Sequence, residues 1–145
     1  MDFQTAMRIS ASGLSAERTW MNVLSSNLAN VDTTKTADGK PYARRTLIFE
    51  STPCQSEFGD VLNSAFQQDL DRVKVVKILP DGRPFKKVYE PGNPDADAKG
   101  YVLMPNINPV EEMANLMMAS RSYQANLAAL NMDKQMALQA IQIGK

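Results

Sequence analysis

Apolar side chains recur at helical spacing over the last quarter of the chain. From Val110 to Ile143 there is no Gly or Pro, and residues that favour helices dominate. Alternating steps of three and four give a stripe in which seven of nine members are apolar: Met113, Leu116, Ser120, Tyr123, Leu127, Leu130, Lys134, Ala137 and Ile141. The pattern predicts one long helix.

Both ends of this helix are marked in the sequence. Asn108 can cap a backbone N–H, Pro109 suits the first helical position, and Glu111 stands where a capping-box carboxylate belongs. Gly144 marks the stop. At 1.5 Å per residue the helix would be about 50 Å long, which exceeds what one small core needs. We expect it to have a partner, although a core helix of an ordinary helical domain would show the same pattern.

The N-terminal segment repeats the pattern between residues 3 and 29. Its stripe has six apolar members of eight: Phe3, Met7, Ser10, Leu14, Glu17, Met21, Leu24 and Leu28. Further apolar residues widen the stripe, so that this helix could touch more than one neighbour: Ile9, Ala16, Trp20 and Val23. The helix ends in a polar run where the amides of Asn27 and Asn30 can hold a following segment or a neighbouring chain.

Between the two helices the composition changes. Thirteen of the fifteen Gly and Pro residues fall between Gly39 and Pro109, which argues for strands and turns. The predicted strands are Tyr42–Phe49, Val73–Leu79, Phe85–Tyr89 and Tyr101–Met104. Pro80-Asp81-Gly82 is predicted as a hairpin-type turn between the second and third, and residues 56–71 as a short helix or a loop.

These elements predict an α+β fold with three segments. Residues 1–35 form an N-terminal helix and its exit, residues 36–108 a small β-rich insert, and residues 109–145 the long C-terminal helix. Because the two helices carry matching stripes, we expect them to pack as an antiparallel, coiled-coil-like pair. An isolated pair would leave half of each stripe in water, which favours assembly with similar chains.

Composition narrows the possible functions. The 16 basic and 16 acidic residues cancel, and they also cancel within each segment, which disfavours binding to nucleic acid or to an anionic membrane. Neither a transmembrane stretch nor the basic and apolar start of a cleaved signal is present, so a soluble chain is predicted. The single Cys54 cannot form an internal disulfide.

Little in the sequence supports catalysis or metal binding. The chain has no His, and it contains no phosphate-binding glycine motif. Asn93, Asp95 and Asp97 alternate like calcium ligands, but the sixth and twelfth positions are Ala98 and Met104 instead of Gly and Glu. An enzyme that uses the two aspartates or Cys54 would lack an activating base. We therefore predict no catalytic, metal or cofactor site.

Several motifs resemble a known family. The segment Leu24–Asn30 with Asp32-Thr33-Thr34 resembles the N-terminal signature of the axial rod and hook proteins of the bacterial flagellum. Further motifs resemble the proximal rod proteins of that family: Gly39–Arg45, Tyr89–Asp97, Gly100-Tyr-Val102, Pro105–Asn108, Glu111-Glu-Met113 and Ala119–Asn126. The resemblance covers nearly the whole chain, with Asn93 at a position where relatives commonly carry His.

The resemblance implies a structural subunit of the flagellar basal body. Such proteins are exported through the flagellar type III apparatus without signal cleavage and stack helically into the rod that spans the periplasm and transmits torque. Their terminal helices form the inner core of the tube, and the insert lies further out. The partners implied are other copies of the chain, neighbouring rod proteins and the export apparatus, with no nucleic acid, no cofactor and no membrane insertion.

The stripes and the matched motifs together give the predicted assembly residues. They are Leu14, Met21, Leu24, Asn27, Leu28, Asn30 and Thr33 in the N-terminal segment, and Glu112, Met113, Leu116, Arg121, Tyr123, Asn126, Leu127 and Leu130 in the C-terminal helix. A helical adaptor that binds a single partner through the C-terminal stripe is the alternative. It would form a discrete one-to-one complex, whereas a rod subunit would grow into a filament.

Overall fold

A computed structural model describes residues 3–53 and 71–144. Helix α1 comprises Phe3–Ala29, strands β1 to β4 comprise Arg45–Pro53, Asp71–Pro80, Lys86–Tyr89 and Tyr101–Met104, and helix α2 comprises Pro109–Ile143. The predicted α+β architecture, with two terminal helices and a small antiparallel β insert, is confirmed. Cys54 and most of the predicted 56–71 element lie outside the described residues.

The two helices have the lengths and boundaries that their sequences predict. Helix α1 contains 27 residues and helix α2 contains 35. At the start of α2, the side chain of Asn108 accepts the backbone N–H of Val110 at 3.2 Å. At its end, the N–H of Gly144 donates to the carbonyl of Ala140 at 3.2 Å, which closes the last turn. Glu111 lies 3.7 Å from the guanidinium of Arg83.

The strands pair differently from the prediction. Strand β1 pairs with β2 and strand β3 pairs with β4, so that Pro80-Asp81-Gly82 links two sheets and is not a hairpin turn. The N–H of Asp81 donates to the carbonyl of Arg44 at 2.6 Å, which holds the end of β2 beside the start of β1. The chain therefore leaves the first sheet at Asp81, and β3 pairs with β4, which follows it in the sequence.

Strand β1 begins at Arg45, three residues later than predicted. The N–H of Arg44 donates to the side-chain oxygen of Asn106 at 2.8 Å, and the N–H of Arg45 donates to that of Asn27 at 2.9 Å. Side chains thus take the backbone groups that a strand ladder would use. In the second sheet β3 and β4 pair antiparallel, with Lys86 opposite Met104 and Tyr89 opposite Tyr101, a pairing that was not predicted.

The chain divides into two compact units. The first contains Met1–Thr19, Phe49–Val76 and Ala119–Lys145, and the second contains Trp20–Ile48 and Lys77–Met118. In the first unit Ala16 of α1 and Ala119 of α2 are buried. In the second unit the end of α1 meets the beginning of α2, as an antiparallel pair requires, over an apolar core: Val23, Leu24, Tyr42, Val102 and Ile107.

Gly13 allows a close approach of the helices in the first unit. A Cβ placed on Gly13 would lie 2.9 Å from Nδ2 and 3.3 Å from Cγ of Asn126. Such distances are shorter than van der Waals contact, so any larger residue at position 13 would displace the Asn126 side chain. Gly13 therefore marks a point where the two helices lie in close contact.

Burial along α1 follows the predicted stripe. The exposed positions repeat at helical spacing and leave one narrow outer face of small, polar and basic residues: Gln4, Arg8, Ala11, Ser15, Arg18, Asn22, Ser25 and Ala29. Of the predicted stripe, only Phe3 is exposed, and it lies at the helix start. Helix α1 therefore has one apolar side, which its own chain largely covers.

Burial along α2 departs from the predicted stripe at every second position. A stripe of less exposed residues runs along the helix at heptad spacing: Glu112, Leu116, Ala119, Tyr123, Asn126, Leu130, Asp133 and Ala137. Four members of this stripe were predicted: Leu116, Tyr123, Leu130 and Ala137. The positions between them are each one residue earlier in the sequence than the predicted Met113, Ser120, Leu127 and Lys134. Because α2 is rich in Met and Ala on all sides, apolar periodicity alone could not choose between the two registers.

Candidate assembly site

Asn27 is the centre of a buried polar cluster at the end of α1. It is 0% exposed, and both ends of its amide are bonded. The amide NH₂ donates to the carbonyl of Arg45 at 2.9 Å and to Oε2 of Glu112 at 3.0 Å. The amide oxygen accepts the N–H of Arg45 at 2.9 Å and the hydroxyl of Tyr42 at 3.3 Å. One side chain thus connects α1, the start of β1 and the start of α2.

Glu112 carries the charge of this cluster. It is 1% exposed, and its Oε1 accepts the Nε–H of Arg44 at 2.6 Å while Oε2 accepts the amide of Asn27. Burial opposes the charge on Arg44, but the hydrogen bond and ion pair with Glu112 outweigh it, so the pKa of the guanidinium is raised. Each oxygen of this buried carboxylate therefore has a partner, which buried charges require.

Asp81 extends the cluster towards the surface. Its Oδ2 lies 3.2 Å from Nη1 of Arg44 and 2.8 Å from Nε of Arg83. Partial burial works against the ionised carboxyl, but hydrogen bonds from the backbone N–H and the guanidinium of Arg83, and from Arg44, lower the pKa of Asp81 below its ordinary value. Asn106 completes the set by donating to the carbonyl of Arg83 at 2.9 Å.

We name these five residues, Asn27, Arg44, Asp81, Asn106 and Glu112, the polar junction. They lie within the second unit and join α1, α2 and the insert by side-chain bonds. Three of the five, Asn27, Asn106 and Glu112, are buried. Buried polar groups favour one arrangement of elements, because another register would leave them unpaired. The junction therefore fixes how the insert is attached to the two helices.

The lowered pKa of Asp81 gives a pH dependence with a definite sign. A carboxyl whose pKa is lower in the folded chain stabilises the fold above its unfolded pKa, and this contribution is lost as the pH falls through the folded pKa. We expect Asp81→Asn to lower the urea midpoint at pH 7 and to change it much less near pH 2. An equal difference at the two pH values would contradict this assignment.

The aspartates considered for metal or catalysis serve the loop before β4. Oδ1 of Asp97 accepts the N–H groups of Lys99 and Tyr101 at 2.8 and 3.0 Å, and these bonds lower the pKa of Asp97. Asp95 accepts the hydroxyl of Thr34 at 2.7 Å. Among the described residues no group of three potential metal-ligating acids or thiols is present.

Helix α2 carries a second apolar surface, which we call the outer methionine face. It is formed by residues that are all more than half exposed: Val110, Met117, Met118, Met132 and Met136. Met117 is 61% and Met132 is 63% exposed. Arg121 is the only charged residue between Glu112 and Asp133. In the described chain nothing covers this face.

The predicted assembly residues fall into three groups in the structure. Leu24, Asn27 and Glu112 are buried. Nine are half-buried: Leu14, Met21, Leu28, Asn30, Thr33, Leu116, Tyr123, Asn126 and Leu130. Met113, Arg121 and Leu127 are exposed. The structure brings Asn27 to Glu112 and Asn30 to Thr33, whose hydroxyl donates to Oδ1 of Asn30 at 3.2 Å.

Sequence reasoning missed two sets of residues. Arg44, Asp81 and Asn106 were not proposed, since none of them lies on a helical stripe. The outer methionine face was also not proposed, although nine Met residues in 145 indicated adaptable apolar surface. Counting apolar positions on the side of α2 opposite to the predicted stripe would have identified the outer methionine face.

Two family models match the chain, one at each end. "Flagella basal body rod protein" matches residues 7–35, and "Flagellar basal body rod FlgEFG protein C-terminal" matches residues 98–143. The first match covers most of α1 and its exit, and the second covers β4 and α2. Both describe rod proteins of the flagellar basal body, which sets the class of protein. No helix among the described residues is long and apolar enough to cross a membrane.

Full-length relatives narrow the class to one family. The flagellar basal-body rod protein FlgC of Bacillus subtilis is 43% identical over 97% of both chains. That of Escherichia coli O6:H1 is 44% identical over 94% of both, and that of Borreliella burgdorferi is 37% identical over 99% of this chain and 98% of the relative. The chain belongs to the FlgC family of flagellar basal-body rod proteins.

Proposed function

We propose that the chain is a structural subunit of the proximal rod of the flagellar basal body. It assembles helically with copies of itself and with neighbouring rod proteins through its terminal helices, and the resulting shaft transmits torque. The role is structural and not enzymatic. The observation that carries this proposal is the outer methionine face of α2, which the chain itself leaves exposed.

The apolar area of the outer methionine face favours a stable contact with another protein surface. Burying a side chain such as Met or Val stabilises by about 1.5–3 kcal/mol relative to exposure. Five of them on one helix would contribute on the order of 10 kcal/mol when a second surface covers them. A helix that is apolar on two opposite sides is typical of one buried between neighbours on both sides. Packing of α2 between α1 and another subunit meets this condition.

In this proposal the three predicted segments have different roles. Residues 1–35 and 109–145 make the contacts between subunits, and residues 36–108 form the insert that lies further out. The polar junction supports this division, because Arg44 and Asp81 of the insert bond to each other and Arg44 bonds to Glu112 of α2. A load applied to the insert would then reach both helices through these bonded side chains.

Export of the chain through the flagellar type III apparatus, without a cleaved signal, completes the proposal. Its location would be the rod within the periplasm. Both the export partner and the neighbouring rod proteins are inferred from membership of the FlgC family.

Removal of residues 1–19 tests the proposal. This deletion takes away the α1 portion of the first unit but keeps Asn27 and the polar junction of the second. In the source bacterium lacking its own copy, we expect the truncated chain to be absent from isolated basal bodies and the cells to be non-motile. The full chain with the same tag is the control, and secretion into the medium separates failed export from failed assembly.

Two outcomes would count against the rod subunit. Truncated chain found in basal bodies at the normal level would show that α1 is not an assembly element. A purified full chain that saturates at one partner per copy, and never grows further, would favour the adaptor.

A further inference from the structure

The sheet of β3 and β4 presents an aromatic face to solvent. Two cross-strand pairs share this face: Tyr89 with Tyr101, and Lys87 with Leu103. Tyr89 is 62%, Tyr101 45% and Leu103 43% exposed, whereas Val102 on the other face is 1% exposed. We call Lys87, Tyr89, Tyr101 and Leu103 the tyrosine face. It lies entirely within the second unit, and a cluster of exposed aromatic and apolar side chains is typical of a protein contact.

The ring of Tyr89 is held in place by its own chain. A Cβ placed on Gly100 would lie 2.9 Å from Cε2 of Tyr89, so the ring rests directly against the backbone of Gly100. The rings of Tyr89 and Tyr101 meet edge to face, with centroids 5.3 Å apart and planes at 64°. Because Tyr89 is already ordered, covering it costs little additional side-chain entropy, which favours its use in binding.

The start of the outer methionine face is suited to cover these rings. Val110, Met117 and Arg121 lie on one side of α2, because they are spaced by seven and four residues. Methionine sulfur makes favourable contacts with aromatic rings, and a guanidinium does so as well. Val110 to Arg121 spans about 16 Å of helix, and a four-residue strand extends about 13 Å, so the two surfaces have similar lengths.

The charges beside the two surfaces are also compatible. A groove along the tyrosine face is lined by two basic and two acidic side chains: Lys35, Lys87, Asp95 and Asp97. Lys87 acts electrostatically on Asp97, whereas Asp95 is exposed and forms no ion pair among the described residues. Arg121 is likewise exposed and without an ion pair in the described part of the chain. Contact between the surfaces would offer Asp95 to Arg121.

We propose that the tyrosine face of one subunit packs against the start of the outer methionine face, from Val110 to Arg121, of a neighbouring copy of the same chain. Both surfaces are exposed in the single chain, so neither covers the other within it. A contact between two different surfaces of identical chains repeats from copy to copy, which suits a growing rod. The inference rests on the proposed rod assembly and adds a contact made by the insert.

A cysteine pair tests this contact in assembled basal bodies. The chain has a single cysteine, so Cys54→Ser provides a background without thiols. In this background, Leu103→Cys combined with Val110→Cys or with Met117→Cys places one thiol on each surface. We expect mild oxidation to join neighbouring subunits into a ladder with steps of 16.0 kDa. Val88→Cys, on the opposite face of β3, combined with Met117→Cys is the matched control and should give single chains.

Two differently tagged chains identify what the disulfide joins. One chain carries Leu103→Cys and the other carries Met117→Cys, so that no disulfide can form within a chain. A product that carries both tags is expected when the two are expressed together. A product that carries one tag and has the mass of a different protein would overturn the assignment of the contact to a second copy.

Removal of the exposed ring tests its contribution to assembly. We expect Tyr89→Ser to lower incorporation into basal bodies about 30-fold, as for the loss of a central aromatic contact residue. Tyr89→Phe keeps the ring and should be incorporated normally. Because Tyr89 is largely exposed, both purified variants should unfold near the urea midpoint of the unaltered chain.

The outcomes separate this inference from the proposed function. Absence of both disulfides from basal bodies that contain the double variants would overturn the contact while the rod subunit stands. Normal incorporation of Tyr89→Ser, or a disulfide from Val88→Cys as abundant as that from Leu103→Cys, would also overturn it. Absence of the unaltered chain from basal bodies would remove both.

Discussion

Replacing Glu112 by alanine is expected to lower the free energy of unfolding by about 3–5 kcal/mol. The change removes the carboxylate 2.6 Å from Nε of Arg44 and leaves that guanidinium, which is 12% exposed, paired with Asp81 at 3.2 Å. The buried amide of Asn27 also loses its bond at 3.0 Å. Removing one partner of a largely buried ion pair is costly because little solvent reaches the groups that remain. Urea unfolding followed by circular dichroism measures the effect.

Glu111→Ala is the control for this prediction. The two glutamates are adjacent on α2, but Glu111 is exposed and lies 3.7 Å from an exposed Arg83. An ion pair of that kind contributes little, so the change should lie within about 0.5 kcal/mol. Equal effects of the two substitutions would contradict the importance of the polar junction and would indicate a general effect of charge at the start of α2.

A double substitution separates the contribution of the polar junction to folding stability from its contribution to the attachment of the insert. Replacing Arg44 and Glu112 together by Met and Leu removes both charges and leaves apolar groups of similar size. Such replacements are often neutral or stabilising. If the polar junction serves to fix the attachment of the insert, the double variant should unfold at a similar urea concentration but incorporate poorly into basal bodies. Normal incorporation would limit the junction to a stabilising role.

The boundaries of the helices were predictable because each depends on local chemistry. Asn108 caps α2 with its own side chain, and Gly144 follows the last turn. The stripe of α1 was also predictable, since polar and apolar residues alternate clearly around that helix. The partner of each strand was not predictable, because β1 and β2 pair across residues 54–70 and nothing near Asp81 signals that the chain changes sheets.

The polar junction was only half predictable. Asn27 and Glu112 were proposed from the family motifs, whereas Arg44 lies in a segment read as strand. Its position depends on long-range bonds to Glu112 and Asn106, which are 68 and 62 residues further along the chain. The buried side of α2 could not be predicted for a different reason. A helix with apolar residues on opposite sides fits more than one heptad assignment.

Substituting Met117 by glutamate is expected to abolish assembly while leaving the isolated chain intact. Met117 is 61% exposed, so the free energy of unfolding should change by less than about 0.5 kcal/mol. In the rod a carboxylate at this position would be buried against an apolar surface, which costs several kcal/mol and corresponds to at least a roughly 100-fold loss of affinity. Basal-body incorporation and urea unfolding of the same variant measure both effects.

Met117→Leu is the matched control, because leucine keeps the apolar character and nearly the volume of methionine. It should assemble normally. Met132→Glu, about four turns further along α2 and equally exposed, should behave like Met117→Glu if one continuous face is covered. A defect at Met117 alone would confine the contact to the start of α2, as a single-partner adaptor requires. Defects at both positions would show that a protein surface covers α2 from Met117 to Met132. A neighbouring subunit packed along α2 would provide such a surface.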